Sequence, residues 1–312
     1  MGKFIIAGIT QIETIIKVER IPIAFHAFTG ETNTIYTAAG GDAFNCSLAL
    51  EWLGDRVEFM TVVAESQNLG IFNPPGREVT LSTNYVLPVM KETPMEVRFF
   101  DPSRKQQKFE DLKDIREAKY DMSLVKPIIK DCDMVVLSNA NFCRPFIDLA
   151  KENQKVLAVK IHNFTAEKEK YNQDFLKNAD ILYFSDNSVE IDPQDFVNEM
   201  KDRYDPEIIL MGIGEQGVIL YDKKRNINAK HKPVETKQVV NTAGAGNALF
   251  ACFLHYYQKT KDPSLSIRKA LLFSANKIGY MGTSNGFMTE EQLEQWEKVI
   301  FDPRDTDQWK TK

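Results

Sequence analysis

Short apolar runs alternate along this chain with segments of helical period, and that alternation restricts the fold more than any other feature. The runs Phe4–Ala7, Val57–Val63, Met134–Leu137, Val156–Ile161, Ile181–Phe184 and Ile208–Met211 have strand length. Between them, Cys46, Ala49, Leu50 and Leu53 fall on one helical face. Ile267, Ala270, Leu271, Ser274 and Ile278 repeat that spacing with one small polar member. Thr289 followed by Gln292 is a capping-box signature for a last helix carrying Leu293, Trp296 and Ile300. Strands that alternate with amphipathic helices predict an α/β fold, with a mostly parallel central sheet covered on both faces.

Two regions break the rhythm. Residues 14–39 and about 85–108 are rich in β-branched and aromatic residues but have little helical period. Thr93-Pro-Met-Glu-Val-Arg-Phe-Phe-Asp-Pro-Ser-Arg104 reads as a strand, a proline-containing turn and a return. Both regions are expected to form a small β lid on one α/β domain, residues 1–301. Residues 302–312 are polar and are expected to be a flexible tail.

The 312 residues suffice for a sizeable core, and a net charge of −5 argues against a nucleic-acid or anionic-membrane partner. The longest apolar runs are far short of a membrane span, and the start reads as a first strand instead of a signal peptide. A cytoplasmic protein is expected. Its four cysteines are widely spaced with no C-x-x-C pair, so they are expected to be free thiols. Its four histidines are too dispersed to suggest a metal site.

The segment Asn241-Thr-Ala-Gly-Ala-Gly-Asn247 runs into the apolar stretch Ala248-Leu-Phe-Ala-Cys-Phe-Leu254. It reads as a small-residue turn opening a helix. Gly244, Ala245 and Gly246 would present bare N–H groups at the positive end of the helix dipole, a natural phosphate or oxyanion cradle. The segment resembles the C-terminal signature of the ribokinase-like (PfkB) carbohydrate kinase family, D-T-x-G-A-G-D. Asparagine replaces both aspartates, at Asn241 and Asn247. Gly40-Gly41, continuing through Asp42-Ala-Phe-Asn45 into a helix that ends at Leu53-Gly54, is similar to the family's N-terminal signature. Together they extend the resemblance over roughly residues 4–300.

The resemblance implies a three-layer ribokinase-like fold with a small β lid, and ATP-dependent phosphoryl transfer to a sugar hydroxyl. It implies that Gln11, Glu13, Gly40, Gly41, Asp42 and Asn45 bind the sugar. Gly244, Ala245 and Gly246 would stabilise the transferred phosphoryl group, with Asn247 at the position of the catalytic base. Gly212-Ile-Gly214-Glu-Gln-Gly217 spells G-x-G-x-x-G, but a second strand follows it where a dinucleotide fingerprint needs a helix. In the family the matching element lies along the nucleotide, so Gly212, Gly214 and Gly217 are expected there. Asn276 and the stretch ending in Gly286 resemble the part that closes over the adenine. Magnesium is implied through an N-x-x-E motif. Asn187-Ser-Val-Glu190 fits it literally, while alignment on Ala179-Asp-Ile181 selects Ser185 and Ser188 instead. With neutral Asn241 in a loop that often supports a monovalent cation in the family, cation activation is expected to be weak or absent. A homodimer through the lid is expected.

Asn247 cannot take up a proton near neutral pH, so two readings stay open. One is an active sugar kinase with a substituted base. The other is a silent relative that binds a sugar or nucleotide.

Overall fold

The computed structural model describes residues 1–26, 30, 32–74, 76, 78–236 and 238–300. The chain runs β1 (Lys3–Ala7), β2 (Gln11–Lys17), β3 (Ile35–Gly40), α1 (Asp42–Trp52), β4 (Arg56–Ala64), β5 (Tyr85–Met90), β6 (Met95–Phe100) and β7 (Gln106–Asp111). It continues through β8 (Met134–Ser138), α2 (Arg144–Glu152), β9 (Val156–Lys160), α3 (Glu169–Asn178), β10 (Ile181–Ser185), α4 (Pro193–Tyr204) and β11 (Ile208–Gly212). The hairpin β12 (Val218–Asp222) and β13 (Ile227–His231) precedes α5 (Ala245–Thr260), α6 (Pro263–Lys277) and α7 (Glu290–Ile300).

The main sheet has nine strands in the order β13-β12-β11-β10-β9-β8-β1-β4-β5. From β5 to β11 every pairing is parallel, and only β12 and β13 run antiparallel. Each apolar run picked out in the sequence is one of its strands. Alternation along these strands builds two cores. Phe4, Ile6, Met134, Val136, Ile208 and Leu210 point into one, with residues of α1, α5 and α6. Ile5, Ala7, Val135, Leu137, Ile209 and Met211 point into the other, with residues of α2, α3 and α4. This is the pleat at work: neighbouring side chains leave opposite faces, so a strand buried on both faces must be apolar throughout.

The capping box forms as read. The Thr289 N–H donates to Gln292 Oε1 at 2.9 Å, and the Gln292 N–H donates to Thr289 Oγ1 at 3.2 Å.

A separate four-stranded sheet, ordered β3-β2-β6-β7, carries the irregular regions. It takes less of the second region than the sequence suggested. Tyr85–Met90 pairs in parallel with β4 at the edge of the main sheet. An edge strand tolerates Pro88, whose missing donor faces no neighbour. Only β6 and β7 of that region join the small sheet. Residues 27–29 and 31 of the first region lie outside the described residues, as does the tail from 301. Among the described residues no helix is long and apolar enough to cross a membrane.

Candidate active site

The C-terminal ends of the parallel strands open on a cleft of about 1120 Å³, large enough for two small molecules side by side. Its walls draw together distant parts of the sequence: Gln11 and Glu13 from β2, Asp42 and Asn45 from α1, Glu110 from β7, and Gly244–Asn247 at the start of α5.

The turn before α5 is built by glycine. Gly244 has φ +81°, and a methyl group there would meet the Thr283 carbonyl oxygen at 2.3 Å. Glycine is therefore needed for both backbone angle and space. No side chain caps the helix N-terminus; the Ala245 N–H turns back to the Thr242 carbonyl at 3.2 Å, so an anion would be met by the neighbouring Gly244 and Gly246 N–H groups. Asn247, one turn in, is buried, and the Cys46 thiol lies 3.7 Å from its carbonyl and 3.9 Å from Oδ1.

Asp42 opens α1 and is buried. Lys160, at the end of β9, forms a close ion pair with it. His162 Nδ1 stands 3.5 Å from Asp42 Oδ2, while Nε2 stands 2.9 Å from Glu110 Oε1. Burial alone would push the Asp42 carboxyl up, but the Lys160 and His162 charges outweigh it and hold the group far below the usual carboxylate range. Glu110 is held at about 2 by the same contest between burial and His162. Burial disfavours the charged imidazole, yet the two carboxylates raise its pKa above the ordinary value. One histidine thus ties the small sheet to the main domain across the cleft mouth. Gln106 of β7 adds a second tie, donating to the Thr242 hydroxyl beside the turn.

Glu13 lies deeper and is more engaged than a free sugar-gripping carboxylate would be. Its Oε1 accepts from the Gly41 N–H at 2.8 Å and from Gln11 Nε2 at 3.2 Å, and its Oε2 accepts from Thr283. Burial, then the neighbouring Glu96, raises its pKa. Gly40 does not line the cleft; a methyl group there would strike the Glu13 carboxyl at 2.1 Å. Asn45 accepts from Thr283 at 3.3 Å. Gln11 also donates to Glu96 at 3.1 Å, and its buried Oε1 has no partner among the described residues.

Gly212, Gly214 and Gly217 line the cleft at the antiparallel hairpin from β11 to β12; the G-x-G-x-x-G run holds a single 3-10 turn at Gly214–Gln216 and opens no α-helix. Asn187 lines the cleft with Ser185 and Asp186, whereas Glu190 is exposed and outside the lining. The literal N-x-x-E pair is therefore not brought together in the cleft; the cleft carboxylate here is Asp186. Asn276 and Gly286 stay outside it too, because the Asn276 amide donates to the Gly286 carbonyl at 3.0 Å. Lys160, His162, Glu110 and Tyr183 were not singled out from sequence as site residues, and Thr283 only as part of the stretch ending in Gly286. No motif or local spacing marks any of them.

The pfkB family carbohydrate kinase model matches residues 194–290 of the chain. The chain is 31% identical over 88 residues to a deoxyribokinase of Salmonella typhimurium, covering 28% of each length. It is 28% identical over 99 residues to a putative 1-phosphofructokinase of Mycoplasma pneumoniae, covering 32% of each. These matches span about a third or less of the curated relatives. Among solved structures, the microbiome-derived acarbose kinase Mak1 superposes with a TM-score of 0.79 at 19% identity, over 94% of this chain and 98% of that one. The ribokinase of Arabidopsis thaliana, solved with ribose and ATP, superposes with a TM-score of 0.75 at 15% identity, over 95% and 98%.

Proposed function

On a ribokinase fold whose residues 194–290 match the pfkB carbohydrate kinases, we propose that this chain transfers the γ-phosphoryl group of ATP to a hydroxyl of a sugar or sugar-like substrate. The observation that carries this reading is the uncapped glycine turn at the start of α5, open to the same cleft as Gln11, Asp42 and Asn45. An anion cradle and a polar hydroxyl-binding wall share one cavity.

Each residue then has a task. The N–H groups of Gly244 and Gly246 stabilise charge on the phosphoryl oxygens as it moves, and Ala245, whose N–H is held by the Thr242 carbonyl, keeps the turn's shape. Gln11 offers its unpaired Oε1 to a substrate hydroxyl, and Asp42 and Asn45 bound the sugar side. Lys160 keeps Asp42 ionised and adds positive charge to a cleft that must hold a polyanion. Gly212, Gly214 and Gly217 leave the hairpin low enough for a nucleotide to lie along it. The small sheet acts as a lid, held by the His162–Glu110 contact, and excludes water that would hydrolyse ATP.

Asp186 and Asn187, side by side in the cleft lining, offer the oxygen donors that would hold magnesium through water, and the ion would neutralise phosphate charge. A monovalent cation does not fit at Asn241. That residue is neutral, and the Lys277 ammonium already faces its carbonyl.

Asn247 cannot serve as a base, and general-base catalysis is worth about 10²–10⁴-fold. Positioning and electrostatics carry most of phosphoryl transfer, so slow turnover is expected. Asn247 equally favours a second reading, a silent relative that binds sugar or nucleotide. The test is ADP release with ATP, magnesium and a panel of sugars and nucleosides. Release that depends on one acceptor supports the kinase. Saturable binding without release supports the second reading.

Ile35, Met95 and Phe109 are exposed on the small sheet, and they support a homodimer formed through it. Light scattering that gives a monomer at high concentration would remove that part of the proposal.

A further inference from the structure

Lys277 ends α6 and is fully buried. Among the described residues no carboxylate pairs with it. Lys269, on the same helix, pairs with Glu297 at 2.6 Å, and Lys160 pairs with Asp42. The Lys277 ammonium instead donates to two main-chain carbonyls, Gly282 at 2.6 Å and Asn241 at 3.5 Å. Both carbonyls belong to segments that shape the anion turn. Asn241 opens the turn, and its Oδ1 accepts from the Ala243 N–H at 2.8 Å. Gly282 precedes Thr283, whose carbonyl closes on Gly244. The Asn241 Nδ2 is buried with no partner among the described residues, so no acceptor there competes for the charge.

Main-chain carbonyls grouped around a positive charge are how proteins replace the water shell of a monovalent ion. A lysine ammonium is close to potassium in size. We propose that Lys277 is a positioning residue that acts as a built-in cation. Its ammonium draws the Asn241 and Gly282 carbonyls together, fixing the 242–246 turn where a bound monovalent ion would otherwise be needed. Lys277 does not line the cleft, so it acts through the turn.

Burial lowers Lys277 to about 7, with Glu13 of β2 raising it and Arg98 of β6 lowering it. The clamp is therefore charged below about pH 7, and the test is run at pH 6.5.

The test compares wild type, Lys277→Ala and Lys277→Met, with choline chloride replaced by potassium or ammonium chloride at constant ionic strength. The first readout is melting temperature, which needs no turnover. Wild type is expected to melt at the same temperature in all three salts. Lys277→Ala should melt several degrees lower in choline and recover saturably with ammonium or potassium. Lys277→Met, whose side chain fills the space, should not respond. Should Lys277→Ala fail to fold in choline, folding in ammonium alone supports the proposal. Failure in every salt, with Lys277→Met binding ATP like wild type, overturns it. So does wild type stabilised by potassium, or equal responses from both variants.

The second readout rests on the kinase reading. Turnover of wild type should ignore potassium, and that of Lys277→Ala should fall at least tenfold in choline and return with ammonium. If no variant turns over any acceptor, the kinase reading fails while the melting result still decides the role of Lys277.

Discussion

A methyl group on Gly246 would stand 2.5 Å from the phenol oxygen of Tyr183, and one on Gly212 would stand 2.7 Å from the same atom. Tyr183 is buried and packs on Phe250 of α5 with ring centroids 5.2 Å apart. One phenol thus fills the space between the turn and the hairpin, and both must be glycine. On the kinase reading, Gly246→Ala is expected to weaken ATP binding roughly tenfold or more, since forcing a methyl into packed space costs about 1–3 kcal/mol. Tyr183→Phe removes the oxygen and leaves a ring carbon 3.3 Å from that methyl. The double variant should recover most of the loss in a calorimetric cycle. Independent, additive effects would show that the contact does not set the turn.

Asn247→Asp restores a carboxylate at the position implied for the base. Turnover on the true acceptor is expected to rise roughly 10²-fold or more, with little change in sugar affinity. Asn241→Asp alone should do less, because it lies beside the turn and moves no proton. Turnover unchanged by Asn247→Asp would mean that another group takes the proton.

Asp42→Asn leaves Lys160 without its countercharge in a nearly enclosed place. The loss of stability is expected to be about 3 kcal/mol, the low end for a broken buried pair. Adding Lys160→Met should return part of it, since an apolar pair avoids the stranded charge. Urea unfolding at pH 7 measures both. Equal stability of Asp42→Asn and wild type would show that the ion pair is solvated.

The latch at His162 predicts a stability profile with two limbs. His162 has a folded pKa above its ordinary 6.5. Its contribution is full below about 6.5 and is lost as pH rises through the raised value. Glu110 and Asp42 are depressed, so their contribution is full above their ordinary 4.5 and 3.8 and is lost as pH falls, towards about 2 for Glu110. The summed contribution of these three groups should therefore be greatest between about 5 and 6.5, and it is read as the difference between wild type and the His162 variant. His162→Gln should flatten the alkaline limb and remove the Glu110 part of the acid limb, leaving the part that Lys160 sustains at Asp42. An alkaline limb unchanged in that variant would assign it to another group.

The parallel strands, the helices α1, α5, α6 and α7 and the anion turn were legible in the sequence because their causes are local. A strand buried on both faces must be apolar throughout, as Met134–Leu137 and Ile208–Met211 are. A helix needs an apolar stripe, and a bare N-terminal turn needs small residues at 244–246. The edge position of Tyr85–Met90 was not legible, since a strand's partner depends on where the chain returns and its own residues do not fix that. Nor were Lys160, His162, Glu110, Tyr183 and Lys277. None has a motif around it, and the surroundings and task of each come from neighbours up to hundreds of positions away. The Lys160 and His162 charges hold Asp42 ionised against its burial, and two carbonyls give the buried Lys277 its place under the turn. Such effects arise only when the sheet gathers the ends of its strands, so only the tertiary structure decides them.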